Sequence, residues 1–93
     1  MTTQMEALIK KAAAAMISAG AREVYLFGSS LHGAAETDSD IDLAIAGLPP
    51  ALFFRVIGIA RRILKKPVDL VDLDEITPFT EYLRTSGELK RVA

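Results

Sequence analysis

Asp40 and Asp42 stand two residues apart at the head of the apolar run Ile41 to Ala46. Such a run reads as a strand, and in a strand residues two apart point to the same side. The two carboxylates therefore project together, while Ile41 and Leu43 turn into a core. Asp is disfavoured in strands, and two ionised carboxylates on one face repel each other. The arrangement costs stability unless a cation neutralises it. Hard divalent cations with oxygen ligands do this, and magnesium typically takes one or two carboxylates plus substrate phosphates. Asp69 lies near the start of another apolar run, Val68 to Leu73, and reaches the same cluster if the two strands are neighbours. Two metal ions about 3.5–4 Å apart could then clamp an in-line phosphoryl displacement. Taken alone, an Asp-x-Asp pattern is commonplace. Asp38, Ser39 and Asp40 also fit an ordinary turn before a solvated strand face.

Gly28 and Ser29 shift that balance. They follow the short run Glu23 to Phe27, whose β-branched and aromatic residues read as a strand. Glycine permits close backbone approach to a phosphate, and the amides and hydroxyls that follow can donate to its oxygens. A Gly-Ser turn by itself is weak evidence and reads first as an ordinary structural turn. Followed by paired carboxylates, it becomes a phosphate-plus-metal constellation.

The elements that must position these groups can be read along the chain. Thr3 to Gly20 has apolar residues at helical spacing (Met5, Leu8, Ile9, Ala12, Met16, Ile17), and Gly20 suits a left-handed stop. Residues 28–39 form a loop, which leaves the first two strands free to run either way. Gly47, Pro49 and Pro50 punctuate the chain before a helix to about Lys65, with Leu52, Phe53, Val56, Ile57, Ala60, Ile63 and Leu64 as its core face. Arg61, Arg62, Lys65 and Lys66 crowd its end, where cations suit the helix dipole, and also offer a surface for nucleic acid or an acidic partner. Pro67 stops the helix. Val68 to Leu73 is the third strand. Because a helix joins it to the second, these two strands should be parallel. Asp72, Asp74 and Glu75 serve a strand edge and a helix start. Thr77 and Pro78 open a short helix to about Thr85, and Leu89 to Val92 add an edge strand or fray. Tyr25, Phe27, Phe53 and Phe54 are core candidates; Phe79 and Tyr82 fit either core or a partner surface.

Bulk properties bound the answer. Ninety-three residues make one domain, spanning 1–93, since two independent cores would not fit. A net charge of −1 gives no strong signal for sequence-independent nucleic-acid binding. With no cysteine there is no disulfide frame, zinc-thiolate site or thiol nucleophile. No stretch approaches the roughly 20 apolar residues of a membrane span, and no secretory signal is visible, so the expected location is the cytoplasm. Oligomeric state is left open.

Phe27-Gly28-Ser29, ten further residues, then Asp40-Ile41-Asp42-Leu43 resembles the signature of the DNA polymerase β-like nucleotidyltransferase superfamily. The fuller run LFGSSLHGAAETDSDIDLAI is similar to the minimal nucleotidyltransferases, known as MNT proteins, and PVDLVDL resembles their third-carboxylate strand. The similarity spans nearly the whole chain. It implies an α/β (α+β) fold with a small mixed sheet flanked by helices, and magnesium-dependent nucleotidyl transfer with ATP as the donor. By position, Asp40, Asp42 and Asp69 match the catalytic metal ligands of two magnesium ions. Gly28, Ser29 and Ser30 match the nucleotide-binding turn. Many MNT proteins are the antitoxin half of a pair with a HEPN-domain ribonuclease and attach AMP to a tyrosine of that toxin. The resemblance therefore implies a HEPN toxin as partner, neutralised by modification or, in the alternative, by docking alone. One departure stands out. The family commonly reads Gly-Ser-Arg-Ala-Arg-Gly where this chain has Gly28-Ser29-Ser30-Leu31-His32-Gly33, so both basic residues are missing.

Overall fold

A computed structural model of the protein describes residues 3–28 and 40–93. Helix α1 (Thr3–Ser18) is followed by β1 (Glu23–Leu26) and β2 (Ile41–Ala46). A single 3-10 turn (Pro50–Leu52) leads into α2 (Phe53–Leu64), then β3 (Val68–Asp72), α3 (Pro78–Ser86) and β4 (Lys90–Arg91). The strands make one mixed sheet in the order β3-β2-β1-β4. β2 and β3 are parallel, as expected from the helix that joins them, and β1 runs antiparallel to both β2 and β4. The orientation left open for β1 and β2 is thus antiparallel. The terminal run forms an edge strand, tied further by Val92 N–H to the Val24 carbonyl at 2.9 Å.

Alternation along the strands divides the sheet into two faces. Val24, Leu26, Ile41, Leu43, Ile45 and Val68 point to one face and are buried beneath α1 and α2. Ala12 and Ala13 of α1 and Ala60 of α2 are small enough to let the two helices approach each other and the sheet closely. The other face carries Phe27, Ala44, Ala46 and Leu73, which are buried with Leu83 of α3. Among the described residues, a layer of two helices therefore covers the first face, and one short helix covers part of the second.

Helix ends follow local chemistry. Gly20, with φ of 130°, leaves the chain just past α1 in a conformation that L side chains rarely adopt. Lys65 takes the left-handed cap position of α2 at φ 55°, so the helix ends one residue before the expected Lys65. At α3 a reciprocal capping box forms between two threonines. Thr77 Oγ1 accepts the Thr80 N–H at 3.1 Å, and Thr80 Oγ1 accepts the Thr77 N–H at 2.9 Å. Thr80 is almost fully buried, and its hydroxyl reaches the Glu75 carbonyl at 2.6 Å. Asp72 and Asp74 do serve the turn after β3. Asp72 Oδ1 accepts the Asp74 N–H at 2.9 Å, and Asp74 Oδ2 accepts the Gly47 N–H at 2.7 Å.

One core candidate is not in the core. Phe54 is 83% exposed. With Val56, Ala60 and Leu64 inward, the 3.6-residue period turns position 54 away from the sheet. Phe27 is buried, while Tyr25 and Phe53 are half-buried. Among the described residues no helix is long and apolar enough to cross a membrane.

These burial differences set mutational costs. Met16→Ala removes a fully buried side chain from the layer under α1 and should cost about 2–5 kcal/mol. Phe54→Ala should stay within about 0.5 kcal/mol of the parent. Denaturant midpoints of the two variants, compared at equal m-value, check both.

Candidate functional site

The same alternation that buries Ile41 and Leu43 sends Asp42 to the α3 side of the sheet, at the end of that face that leads into Ala44 and Ala46. Asp69 takes the corresponding place on β3, between buried Val68 and half-buried Leu70. The parallel ladder sets Asp42 and Asp69 directly in register. Adjacent strands lie about 4.8 Å apart, so the two side chains leave the sheet as neighbours. Asp40 stands just before β2, exposed, two residues from Asp42.

Electrostatics couple the three. The Asp42 carboxyl is raised above the ordinary carboxylate range, first by burial and then by the charges of Asp69 and Asp40. Asp42 is half-buried, whereas Asp40 and Asp69 are exposed. Among the described residues no three ligand-type side chains gather closely enough to hold a metal ion by themselves. The sequence-predicted trio is thus a registered pair, Asp42 and Asp69, with Asp40 near enough for its charge to act on Asp42. Two carboxylates whose charges oppose each other, presenting only oxygen donors, fit a magnesium ion that completes its shell with water and phosphate oxygens.

Gly28 packs against this pair. It follows β1, anchored by the bond from the Phe27 N–H to the Asp42 carbonyl at 3.1 Å. Its φ is 66°, and a Cβ built there would lie 2.5 Å from Asp42 Oδ2. Only glycine lets the backbone sit this close to the carboxylate. The other two residues expected in the nucleotide-binding turn, Ser29 and Ser30, lie outside the described residues, as do Leu31, His32 and Gly33.

Other features were not legible in sequence. Phe79 of α3 meets Phe27 edge to face, ring centroids 5.9 Å apart, so the last helix reaches toward the acidic end of the sheet. From the cationic end of α2, Arg61 Nη2 donates to the Val68 carbonyl at 3.1 Å, one residue from Asp69. The crowding of basic residues there signalled charge, and nothing in their spacing signalled this bond. At the opposite end of the sheet, Arg22, Arg84 and Arg91 surround a cavity of about 510 Å³ together with Glu23 and Asp74.

Two outcomes follow from the acidic pair and its glycine. Gly28→Ala must displace the Asp42 carboxylate and strain a left-handed backbone, at a cost of roughly 1–2 kcal/mol; a heat-capacity scan and a magnesium titration should show both losses. Because folding raises the Asp42 pKa, its folded form holds the proton more tightly than its unfolded form. Stability should therefore fall as pH rises from the ordinary carboxylate range through the raised value. Asp42→Asn should flatten that slope and raise the metal-free Tm at pH 7, as thermal melts across pH will show.

Comparison with known proteins supports the fold and the family. Residues 11–89 match the family described as polymerase beta, nucleotidyltransferase. No curated protein matches the chain. Among solved structures, a toxin–antitoxin with AMP-PNP is 26% identical at a TM-score of 0.69, covering 95% of this chain and 72% of that one. A protein proposed to be a minimal nucleotidyltransferase is 27% identical at a TM-score of 0.68, covering 92% and 86%. The complex of tri-AMPylated Shewanella oneidensis HEPN toxin with MNT antitoxin matches at 24% identity and a TM-score of 0.65, covering 100% and 72%, a likeness of fold. With the family match covering most of its length, the chain belongs to the polymerase beta nucleotidyltransferase family.

Proposed function

We propose that this chain is a magnesium-dependent nucleotidyltransferase that moves AMP from ATP to a tyrosine hydroxyl of a HEPN-type toxin, and so acts as an antitoxin. The observation that carries the reading is the pair Asp42 and Asp69, in register on parallel strands with Gly28 against the Asp42 carboxylate. The similar structures support the choice of nucleotide and partner: one toxin–antitoxin holds AMP-PNP, and another contains an AMPylated HEPN toxin beside an MNT antitoxin.

Each residue has a role. Asp40, Asp42 and Asp69 would hold two magnesium ions, which neutralise the triphosphate and stabilise the charge that develops on the attacking and leaving oxygens. Gly28, with Ser29 and Ser30, would present backbone amides and hydroxyls to the phosphates. The tyrosine oxygen attacks the α-phosphorus in line, the bond to pyrophosphate breaks, and Asp69 takes the hydroxyl proton. Alignment of the two oxygens about the phosphorus is the main task left to the protein. With Ser30, Leu31 and His32 where relatives carry basic residues, this chain lends the triphosphate no arginine from that turn.

Docking without chemistry is the rival reading, favoured by the lack of three gathered ligands among the described residues. The two part on one experiment. With labelled ATP, magnesium and the HEPN partner, the wild type should label the toxin. Asp42→Asn should lower the rate by at least about a hundredfold, on the scale of losing a main source of transition-state charge stabilisation. The Asp40→Asn, Asp42→Asn double variant should also fail to rescue cells from the toxin. Rescue by that variant at wild-type level would favour docking alone.

A further inference from the structure

The edge of β3 carries a second feature that the metal pair does not use. β3 is an outer strand of the sheet, and its odd-numbered residues bond to β2: the Ile41 N–H donates to the Pro67 carbonyl and the Leu73 N–H to the Ile45 carbonyl. In a parallel ladder the alternate residues face the other way, so the backbone groups of Val68, Leu70 and Asp72 point outward. Two of the outward carbonyls are already engaged. Arg61 takes that of Val68, and the Glu75 N–H takes that of Asp72. The N–H and C=O of Leu70 point into a groove of about 490 Å³ whose floor includes Leu70 and Val71.

The groove has a wall on either side of the sheet. Phe53 and Phe54 come from the start of α2, which covers one face. Thr77 and Phe79 come from the start of α3, which covers the other. Phe54 is 83% and Phe79 48% exposed, so both walls present aromatic surface to solvent. The charged residues that line the groove, Asp72 and Glu75, are both acidic. Asp69, one of the metal-binding pair, precedes Leu70 on the same strand.

We infer that this slot takes an extended segment of the acceptor protein as an added strand along β3, with an apolar side chain between the aromatic walls and a Lys or Arg facing Asp72 and Glu75. Backbone pairing at Leu70 would supply binding energy, and the walls and acids would supply selectivity. A slot with a helix on each side admits one extended chain. A second copy of this chain would have to bring its own helix-flanked sheet against the same edge. At about 3.3 Å per residue, a hydroxyl-bearing residue about two positions from the apolar anchor lies level with Asp69. The docking stands on the groove, and only the identification of its occupant with the acceptor rests on the nucleotidyl-transfer reading.

The test selects random dodecapeptides displayed on phage against the wild-type chain, without ATP or magnesium, and measures binding of the selected peptides by fluorescence anisotropy. The expected peptides carry an apolar residue beside Lys or Arg. Their affinity should fall about tenfold or more in Phe54→Ser and in Glu75→Lys, and a peptide with Glu in place of its Lys should recover binding to Glu75→Lys. Amide shifts in labelled protein should centre on Leu70 and Asp72. Affinity unchanged in both variants, an acidic consensus, shifts centred elsewhere, or no selected peptide would each overturn the docking. A dimer in sedimentation that Phe54→Ser makes monomeric would assign the slot to a second copy and overturn the proposed occupant. A selected peptide given a tyrosine two positions from its anchor separates the readings: tight binding at the groove with no label transfer would leave the docking standing and count against the chemistry.

Discussion

Two acids placed at one register on adjoining strands repel, and the fold must oppose that repulsion with packing elsewhere. Here the opposing force comes from the far side of the sheet. Ile41, Leu43 and Val68, each next in sequence to one of the acids, are sunk beneath α1 and α2 and are almost wholly shielded from solvent. Hydrophobic burial on one face thus holds charges on the other face closer than they would stand in a free chain. The Asp42 carboxyl is raised first by its burial and then by that repulsion from Asp69 and Asp40. A cation placed beside such a pair would offset that repulsion.

Much of this was legible in the sequence because the decisive pattern is local. An acid flanked by two residues destined for the core has only one direction open in a strand, and both Asp42 and Asp69 have such flanks. The helix between the second and third strands fixed their parallel pairing. Gly28 was legible for a similar reason, since a glycine at a strand end beside paired acids has few structural explanations as economical as close backbone approach. The antiparallel pairing of β1 and β2 was not legible, because a loop as long as 28–39 suits either direction.

Placement between elements was the part that sequence could not supply. Periodicity marks which side of a helix is apolar, but not which sheet face receives it. α3 has few residues, and Leu83 alone is its deeply buried apolar anchor, so its position over Phe27 and Leu73 had no clear pattern. Phe54 was misplaced for a different reason. Composition marks a phenylalanine as core, whereas its angular position around α2 puts it in solvent. The groove beside β3 exists only because these two helices approach the strand edge from opposite faces, and it is absent from any single segment of the chain.

The connection between β1 and β2 begins and ends at fixed posts. Leu26 faces Leu43 in the ladder, the Phe27 amide is bonded to Asp42, and the Ile41 amide is bonded to Pro67. The location of the acids is therefore decided before residue 29 and after residue 39. The spacing of Asp42 and Asp69 is set by the ladder between β2 and β3 and by the core beneath it. A longer or shorter connection between these posts costs mainly closure entropy, while the register that sets Asp42 beside Asp69 stays the same.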